Sequence, residues 1–275
     1  MTRCSLRIAA IPAFVAVLAS CSPASVRTTP APGDAVIRVA TYNIRHGRGT
    51  DERVDLTRAA AVLRALNPDM VGLQEVDNRV ERSGRVDEAE ALGAQLGMHH
   101  AFGAFMDYQG GQYGLAILSR HPVRRIAPIR LQDGNEPRVA LVVEVDYPGI
   151  GALAVVNVHF DWVRDDGFRF AQASTLATVL DTLSIPYVLL GDFNDVPESR
   201  TLALFKSRAM EARKPASDHF TFSSTEPVRE IDFIFASPAA AWTARGVRVI
   251  TEPVASDHRP VFAELRFTAR ASRDP

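Results

Sequence analysis

The chain carries, at residues 187–195, the sequence Tyr187-Val188-Leu189-Leu190-Gly191-Asp192-Phe193-Asn194-Asp195. Its unbroken apolar start is typical of a β-strand buried on both faces, and the run stops at Gly191. Asp192 and Asn194 follow at alternate positions, so a side-chain period of two predicts that both point the same way. Such groups beside a hydrophobic core need a cation, a charged partner or a substrate to satisfy them. The alternative is that they only cap a helix beginning near Pro197.

Composition limits the classes of function open to this chain. Its 275 residues, 47% of them hydrophobic, are enough for a substantial core. The formal net charge of -1 gives no overall basic excess of the kind that drives nonspecific nucleic-acid binding. Lysine occurs only at positions 206 and 214, so nearly every cation is an arginine. GC-rich codon usage explains this bias more simply than selection for phosphate binding, so a single arginine is weak evidence for a binding site.

The first residues have the pattern of an export signal. Arg3 and Arg7 form a positive region, and the apolar run that follows, residues 8–18, is too short to span a bilayer comfortably. The next residues, Leu18-Ala19-Ser20-Cys21, resemble the lipobox of bacterial lipoproteins, in which cleavage precedes a lipidated cysteine. The pattern predicts a signal peptide at residues 1–20, lipidation of Cys21 and an exported protein anchored to a membrane, periplasmic or at the cell surface. The alternative is an ordinary secretory signal with Cys21 incidental.

Cleavage before Cys21 would change both charge and thiol chemistry. Losing residues 1–20 removes two arginines and no acids, which takes the formal charge from -1 to -3. It also removes Cys4, so Cys21 is then the only thiol. An intramolecular disulfide and a cysteine nucleophile within the fold are both excluded.

The rest of the chain is predicted to form one domain. Residues 21–34 hold the lipidated cysteine and a flexible tether rich in Ser, Thr, Pro and Ala, the domain spans residues 35–267, and residues 268–275 are a frayed tail. Apolar runs predict strands at 36–44, 70–75, 115–119, 139–145, 153–159, 187–192, 231–235 and 260–267. Helical periodicity and capping residues predict helices after Asp55 and at 87–96, 167–183 and 198–205. Strands and helices do not alternate regularly, which favours an α/β or α+β domain of layered sheets.

Polar groups of one chemical kind lie repeatedly at strand ends. They are Asn43, Glu75, His159, Asp192 with Asn194, the acid Asp232 within a strand, and the run Ser256-Asp257-His258 just before the last strand. Glu75 and Asp257 offer hard oxygen ligands, and Asn43 offers a neutral one. A site with few carboxylates suits Mg²⁺, which keeps waters and shares a substrate phosphate. Two histidines and no cysteine in these motifs argue against structural zinc.

The same groups belong to six short motifs in a fixed order. They are Thr41-Tyr42-Asn43, Gln74-Glu75, Asn157-Val158-His159, Gly191-Asp192-Phe193-Asn194, Ile231-Asp232-Phe233-Ile234-Phe235 and Ser256-Asp257-His258. In this order they resemble the endonuclease/exonuclease/phosphatase superfamily, and the resemblance spans about residues 37–267. It implies an α/β, DNase I-like fold: a four-layered sandwich of two packed mixed β-sheets flanked by helices, with the site at one edge.

The resemblance also implies roles for the site residues. Glu75 is similar to the family's main Mg²⁺ ligand, helped by Asn43 and Asp257, and Mn²⁺ is an alternative ion. His258, paired with Asp232, is similar to the general base that prepares water for attack on phosphorus, although the family's base is not always the histidine.

Four further residues complete the implied site. Asp192 and Asn194 are expected to position the water and the phosphate, and His159 is expected to donate to a non-bridging oxygen. Tyr113 and Arg138 fall near substrate-binding positions of relatives. For Arg138 the alternative is a surface arginine. The four histidines outside the motifs are expected to be surface or packing residues: His99, His100, His121 and His219.

These features favour a Mg²⁺-dependent phosphoesterase that acts outside the cytoplasm, as a monomer, on a phosphodiester or phosphomonoester by in-line attack of water. A metal-dependent nuclease is the first alternative, although the acidic mature charge and the lack of an interleaved basic and aromatic stretch do not favour it. A non-catalytic binding module on the same fold is the second, and it would be favoured by loss of a site residue. A serine hydrolase is a poor third, because no Gly-x-Ser-x-Gly elbow is present.

Overall fold

A computed structural model describes Met1 and residues 34–268 of the chain. The predicted signal peptide, the lipobox with Cys21 and nearly all of the predicted tether lie outside the described residues, as does the tail from residue 269. Within residues 34–268, none of the helices combines the length and the apolar content that crossing a bilayer requires.

The described chain forms two six-stranded mixed sheets. The first sheet has the order β11-β12-β1-β2-β4-β3. Its strands are β1 (Ala35–Asn43), β2 (Met70–Asn78), β3 (His99–Tyr108), β4 (Gly111–Ser119), β11 (Trp242–Val249) and β12 (Val261–Phe267). The second has the order β5-β6-β7-β8-β10-β9. Its strands are β5 (Val123–Arg130), β6 (Val139–Tyr147), β7 (Gly151–His159), β8 (Tyr187–Asp192), β9 (Met210–Glu211) and β10 (Asp232–Ser237).

Four helices cover the outer faces of these sheets. They are α1 (Leu56–Leu66), α2 (Glu88–Leu96), α3 (Gly167–Leu180) and α4 (Arg200–Lys206). Asp55 and Asp87 cap the first two helices by accepting hydrogen bonds from the Thr57 and Glu90 backbone N–H groups. The cap at Asp55 was predicted, whereas Asp87 was predicted inside its helix and lies just before it. The helix predicted at 167–183 ends at Leu180.

Three apolar layers account for the sandwich. The inner faces of the two sheets share one core, to which Ile37 contributes from β1 and Leu190 from β8. The outer face of the first sheet packs on α1 and α2, where Leu63 and Leu92 are fully buried. The outer face of the second sheet packs on α3 and α4, with Phe205 at its centre. The predicted four-layered sandwich of two packed mixed sheets is confirmed.

Four strands were not predicted from the sequence: β3, β5, β9 and β11. Each lies at an edge of its sheet. One side of an edge strand faces solvent, so it carries charged residues in place of a continuous apolar run. β5, for example, holds three arginines and Pro128 in eight residues. Apolar runs therefore predict central strands well and edge strands poorly.

A buried amide pair joins the two sheets beneath the site. Gln74 Nε2 in β2 donates to Asn157 Oδ1 in β7 at 2.6 Å. Asn157 Nδ2 in turn donates to the carbonyl oxygens of Leu73 and Ala116 at 2.8 and 2.9 Å. The sheets approach so closely here that a Cβ on Gly72 would lie 3.0 Å from the Asn157 side chain. Two motif residues without a proposed chemical role thus position the strand ends.

Replacing Asn157 with alanine is expected to lower the free energy of unfolding by about 3 kcal/mol, because it leaves buried polar groups of both sheets without partners. Urea unfolding followed by circular dichroism measures this change. A loss below about 1 kcal/mol would show that the amide pair does not hold the sheets together.

Candidate active site

The second sheet places three ionisable groups in one row. β7 and β8 run parallel with His159 opposite Asp192, and β8 and β10 run antiparallel with Asp192 opposite Asp232. All three residues are buried, with at most 4% of their surface exposed. The strand predicted at 187–192 therefore places Asp192 between His159 and Asp232, in agreement with a site at the strand ends.

The first sheet contributes Asn43 and Glu75. Asn43 ends β1, and its Nδ2 donates to Glu75 Oε1 at 3.0 Å and to Asp192 Oδ2 at 3.2 Å. Glu75 lies where the pairing of β2 with β4 is interrupted between Leu73 and Val76, and its φ of 57° is left-handed. A bulge of this kind redirects a side chain, and backbone strain in a non-glycine residue is typical of functional sites. At the site, hydrogen bonds donated by Asn43 thus join a residue of each sheet.

His258 lies between two carboxylates. Its Nδ1 is 3.0 Å from Asp232 Oδ2, and its Nε2 is 3.6 Å from Asp192 Oδ2. The Phe222 ring lies 4.9 Å from the imidazole, centroid to centroid, and covers it. The side chains of Asp192, Asp232 and His258 are close enough that one ligand atom from each lies within 4.8 Å of the others.

This arrangement shifts the pKa values of the buried groups. Burial, together with the neighbouring Asp232 carboxylate, raises the pKa of Asp192 to about 7. Burial acts to lower the pKa of His258, but the carboxylates of Asp232 and Asp192 outweigh it and raise the pKa to about 10. At neutral pH, His258 is therefore a cation held by Asp232, and Asp192 is poised to gain or lose a proton.

His159, in contrast, is neutral at neutral pH. Burial, followed by the positive charges of Arg138 and His258, lowers the pKa of His159 well below its ordinary value. Arg138 Nη1 lies 3.4 Å from His159 Nδ1. A guanidinium only donates, so Nδ1 of the neutral ring is the acceptor and the proton is on Nε2. That N–H lies on the side of Asp192, 3.6 Å from its Oδ2.

Arg138 is not the surface arginine of the alternative interpretation. Only 1% of its surface is exposed. Its Nη2 pairs with Glu136 Oε2 at 2.9 Å, and its guanidinium lies 4.9 Å from the centre of the Phe105 ring. Burial of an arginine is costly unless its charge is paired, and Glu136 supplies that pairing beside His159.

One cavity of about 310 Å³ opens onto these groups. Eight of the predicted site residues line it: Glu75, Tyr113, Arg138, His159, Asp192, Asn194, Asp257 and His258. Asn43 and Asp232 support it from behind through the hydrogen bonds described above. All ten predicted site residues within the described chain therefore lie together.

Asn194 reaches the cavity in a way the sequence did not predict. The strand ends at Asp192, and Asn194 has a left-handed φ of 50°. Its backbone N–H donates to Asp192 Oδ1 at 2.8 Å, and its Nδ2 donates to the Phe160 carbonyl at 3.0 Å. The period of two stops at the strand end, and a turn, not strand geometry, places Asn194.

Four cavity residues were missed from the sequence: Glu136, Trp162, Phe222 and Arg229. Glu136 is two residues from Arg138 and Trp162 is three residues from His159, and this closeness to predicted site residues is the signal that could have found them. Phe222 and Arg229 lie between the helix predicted at 198–205 and the strand predicted at 231–235, where no pattern singles them out.

The residues present fit a divalent metal ion. Glu75 and Asp257 line the cavity, and Asn43 Oδ1 accepts one hydrogen bond, from Arg45 N at 3.1 Å, which leaves a second lone pair. Hard oxygen donors beside open water suit Mg²⁺ or Mn²⁺. The Asp192, Asp232 and His258 cluster fits less well, because a protonated imidazole has no lone pair for a metal.

The sandwich and its strand-end site are those of a metal-dependent hydrolase. A family model described as the Endonuclease/Exonuclease/phosphatase family matches residues 40–258, and the chain belongs to this family. The expected enzyme class, a hydrolase acting on phosphate ester bonds, is confirmed, and enzymes of this family generally depend on a divalent metal.

Solved structures support the assignment. An endonuclease/exonuclease/phosphatase from Beutenbergia cavernae is 26% identical, with a TM-score of 0.70, over 85% of this chain and 72% of that one. A mannosyl-6-phosphatase from Bacteroides thetaiotaomicron is 20% identical, with a TM-score of 0.69, over 83% and 99%. The human Nocturnin catalytic domain with bound sulfate is 21% identical, with a TM-score of 0.66, over 85% and 94%. Comparison with curated proteins gives no match.

Proposed function

We propose that this protein is a Mg²⁺-dependent phosphoesterase that hydrolyses a phosphodiester or phosphomonoester by in-line attack of water. The observation that supports this most is the grouping of ten side chains at one small cavity, eight of which line it and two of which support it from behind. Glu75, Asp257 and Asn43 would hold the metal, which when bound supplies positive charge to the phosphate and the leaving oxygen.

In this proposal Asp192 takes the proton of the attacking water at Oδ2. A general base works best with a pKa near the working pH, and the raised pKa of Asp192, about 7, meets that condition. His258 is protonated at neutral pH and cannot accept a proton. The role of base that the family resemblance suggested for His258 therefore passes to Asp192.

Two histidines then stabilise charge on the phosphoryl oxygens. His258, held by Asp232, offers its Nε2–H as a cationic donor. His159 offers the Nε2–H of a neutral ring, whose tautomer is fixed by Arg138 at Nδ1. Both donors are buried and fixed before substrate binds, which is the condition for effective electrostatic catalysis.

The cavity favours a small phosphate ester over a nucleic-acid strand. Of the two arginines lining it, Arg138 is paired with Glu136. A strand-binding groove instead combines several basic residues with successive stacking rings. The mannosyl-6-phosphatase of the same fold supports a phosphomonoester substrate, and a nuclease is retained as the alternative.

A chelator-controlled hydrolysis screen tests the proposed function. The protein, beginning at Ser22, is incubated with bis-nitrophenyl phosphate, sugar phosphates, inositol phosphates, sphingomyelin, DNA and RNA. We expect hydrolysis of a small ester that stops with EDTA and returns with Mg²⁺. Turnover of DNA or RNA alone would favour the nuclease, and metal-independent turnover would contradict the proposal.

We also propose that the protein acts outside the cytoplasm, as a monomer anchored through lipid on Cys21. The support is the sequence of residues 1–21, with its positive start, short apolar run and small residues before the cysteine.

Replacing Cys21 with alanine is expected to release the protein from membranes, because a lipobox without its cysteine receives no lipid. Fractionation of cells expressing either form measures the distribution. Ser22→Ala is the matched control and should leave the protein in the membrane fraction. If the Cys21→Ala protein stays membrane-bound, the anchor proposal is wrong.

A further inference from the structure

An exposed tryptophan stands at the rim of the catalytic cavity. Trp162 lines that cavity, and 59% of its surface is exposed. Within the described part of the chain, no other aromatic ring stacks on it. A large apolar ring that stays exposed to water contributes little to the stability of the fold. An exposed ring at the rim of a cavity is therefore typical of a surface that contacts a ligand.

The backbone that carries Trp162 is firmly held. One buried arginine, Arg169, donates through Nη1 to the carbonyl oxygens on both sides of it, those of Asp161 and Val163, at 3.1 and 2.7 Å. Asp161 Oδ1 also accepts from Val163 N at 3.1 Å. The exposed ring is therefore mounted on a rigid turn, which lowers the entropy lost when a ligand packs against it.

The same aspartate fixes a second rim residue. Asp161 Oδ2 accepts from the backbone N–H groups of Asn135 and Glu136, at 2.7 and 3.4 Å. The loop approaches so closely that a Cβ on Gly134 would lie 2.5 Å from this oxygen. The buried carboxylate of Asp161 thus joins the loop carrying Glu136 to the turn carrying Trp162, on one side of the cavity.

Glu136 keeps acceptor capacity for a ligand. Its Oε2 pairs with Arg138 Nη2 at 2.9 Å, and 32% of its side chain is exposed. Its Oε1 is therefore available to accept hydrogen bonds from hydroxyl groups beside the catalytic cavity. A flat apolar ring and a carboxylate acceptor form a pair that we call the rim subsite: Trp162 and Glu136.

We propose that the rim subsite binds a pyranose ring, and that the preferred substrate is the phosphate ester of a hexose. The proposal rests on the function proposed above and names its substrate class. A sugar presents both complementary features: a face of C–H groups for Trp162 and hydroxyl donors for Glu136. An acyclic alcohol lacks the face. A nucleotide has ribose hydroxyls, but its flat base competes with the ribose for Trp162, so it is the rival ligand.

The test compares kcat/KM for hexose 6-phosphate, glycerol 3-phosphate and adenosine 5′-monophosphate. We expect the wild type to prefer the hexose ester, and Trp162→Ala to lower kcat/KM for it by about ten-fold. Glycerol phosphate should change by less than about two-fold, since the reacting groups are untouched. Trp162→Phe should restore most of the loss. Phe220→Ala removes another exposed aromatic that lies outside the cavity lining and should have no effect.

Three results would overturn the sugar proposal: equal losses on the hexose and glycerol esters, no loss on either, or a preference for the nucleotide that depends on Trp162. Calorimetric titration of the wild type and of Trp162→Ala with hexose 6-phosphate tests the rim subsite independently of hydrolysis, and so independently of the proposed function. If the wild type hydrolyses no ester, the proposed function is wrong. In that case a loss of hexose binding in Trp162→Ala still supports the rim subsite, and unchanged binding overturns it.

Discussion

Replacing Asp192 with asparagine is expected to lower kcat by roughly a thousand-fold, because the amide cannot take a proton from water. The same change is expected to raise the free energy of unfolding of the metal-free protein at pH 8, by on the order of 2 kcal/mol. The sign follows from linkage. A carboxyl whose pKa is raised on folding contributes stability below its ordinary pKa and loses it as the pH rises through the folded value, here about 7.

Two measurements check this prediction. Urea unfolding from pH 4 to pH 8 should show the wild type losing stability as Asp192 ionises, and the variant should lose less. NMR titration should show the pKa of His258 falling in the variant, since one of its two carboxylate partners is gone. A variant that is less stable at pH 8, or that keeps kcat within about ten-fold, would exclude Asp192 as the strained general base.

Gain of stability with loss of activity is the signature that separates a catalytic carboxylate from a structural one. The hydrogen bonds of Asp192 come from Asn43 and Asn194, and neither brings a full positive charge. Asp232, by contrast, holds His258 at 3.0 Å, and removing it leaves a buried cation with one carboxylate 3.6 Å away. Asp232→Asn is therefore expected to cost stability where Asp192→Asn adds it.

The sequence could predict much of the site because each of its motifs is short and lies at a strand end. An apolar run marks a central strand, and the polar residue after it must emerge at the sheet edge, so Asn43 and His159 were predictable. Their meeting was predictable only through the resemblance to a family. No local pattern shows that β1 of one sheet comes to lie against β8 of the other.

What the sequence could not show depends on loops and on backbone strain. Trp162 and Glu136 come together through one buried carboxylate, Asp161, whose three backbone partners are set by loop conformation. The left-handed backbone of Glu75 arises from a bulge, and no residue type in the sequence predicts that bulge. The protonation states of His159 and His258 are also set by neighbours distant in sequence, so two residues of the same type differ in charge, one neutral and one cationic.

Replacing Glu75 with alanine is expected to lower Mg²⁺-dependent kcat/KM by roughly a thousand-fold or more, because it removes the proposed main metal ligand. The free energy of unfolding should change by less than about 1 kcal/mol, since the Glu75 side chain is half-buried and faces the cavity. Calorimetric titration with Mg²⁺, or with Mn²⁺ followed by electron paramagnetic resonance, measures binding directly and without turnover.

Glu81→Ala is the matched control for this variant, because Glu81 is an exposed acid just beyond β2 and outside the cavity lining. It should bind metal and turn over as the wild type does.

Retained turnover in Glu75→Ala would exclude the metal site proposed at Asn43, Glu75 and Asp257. Retained metal binding without turnover would point instead to the cluster of Asp192, Asp232 and His258. That cluster needs a neutral His258 to bind an ion, so its affinity for metal would rise with pH through about 10, the pKa of His258.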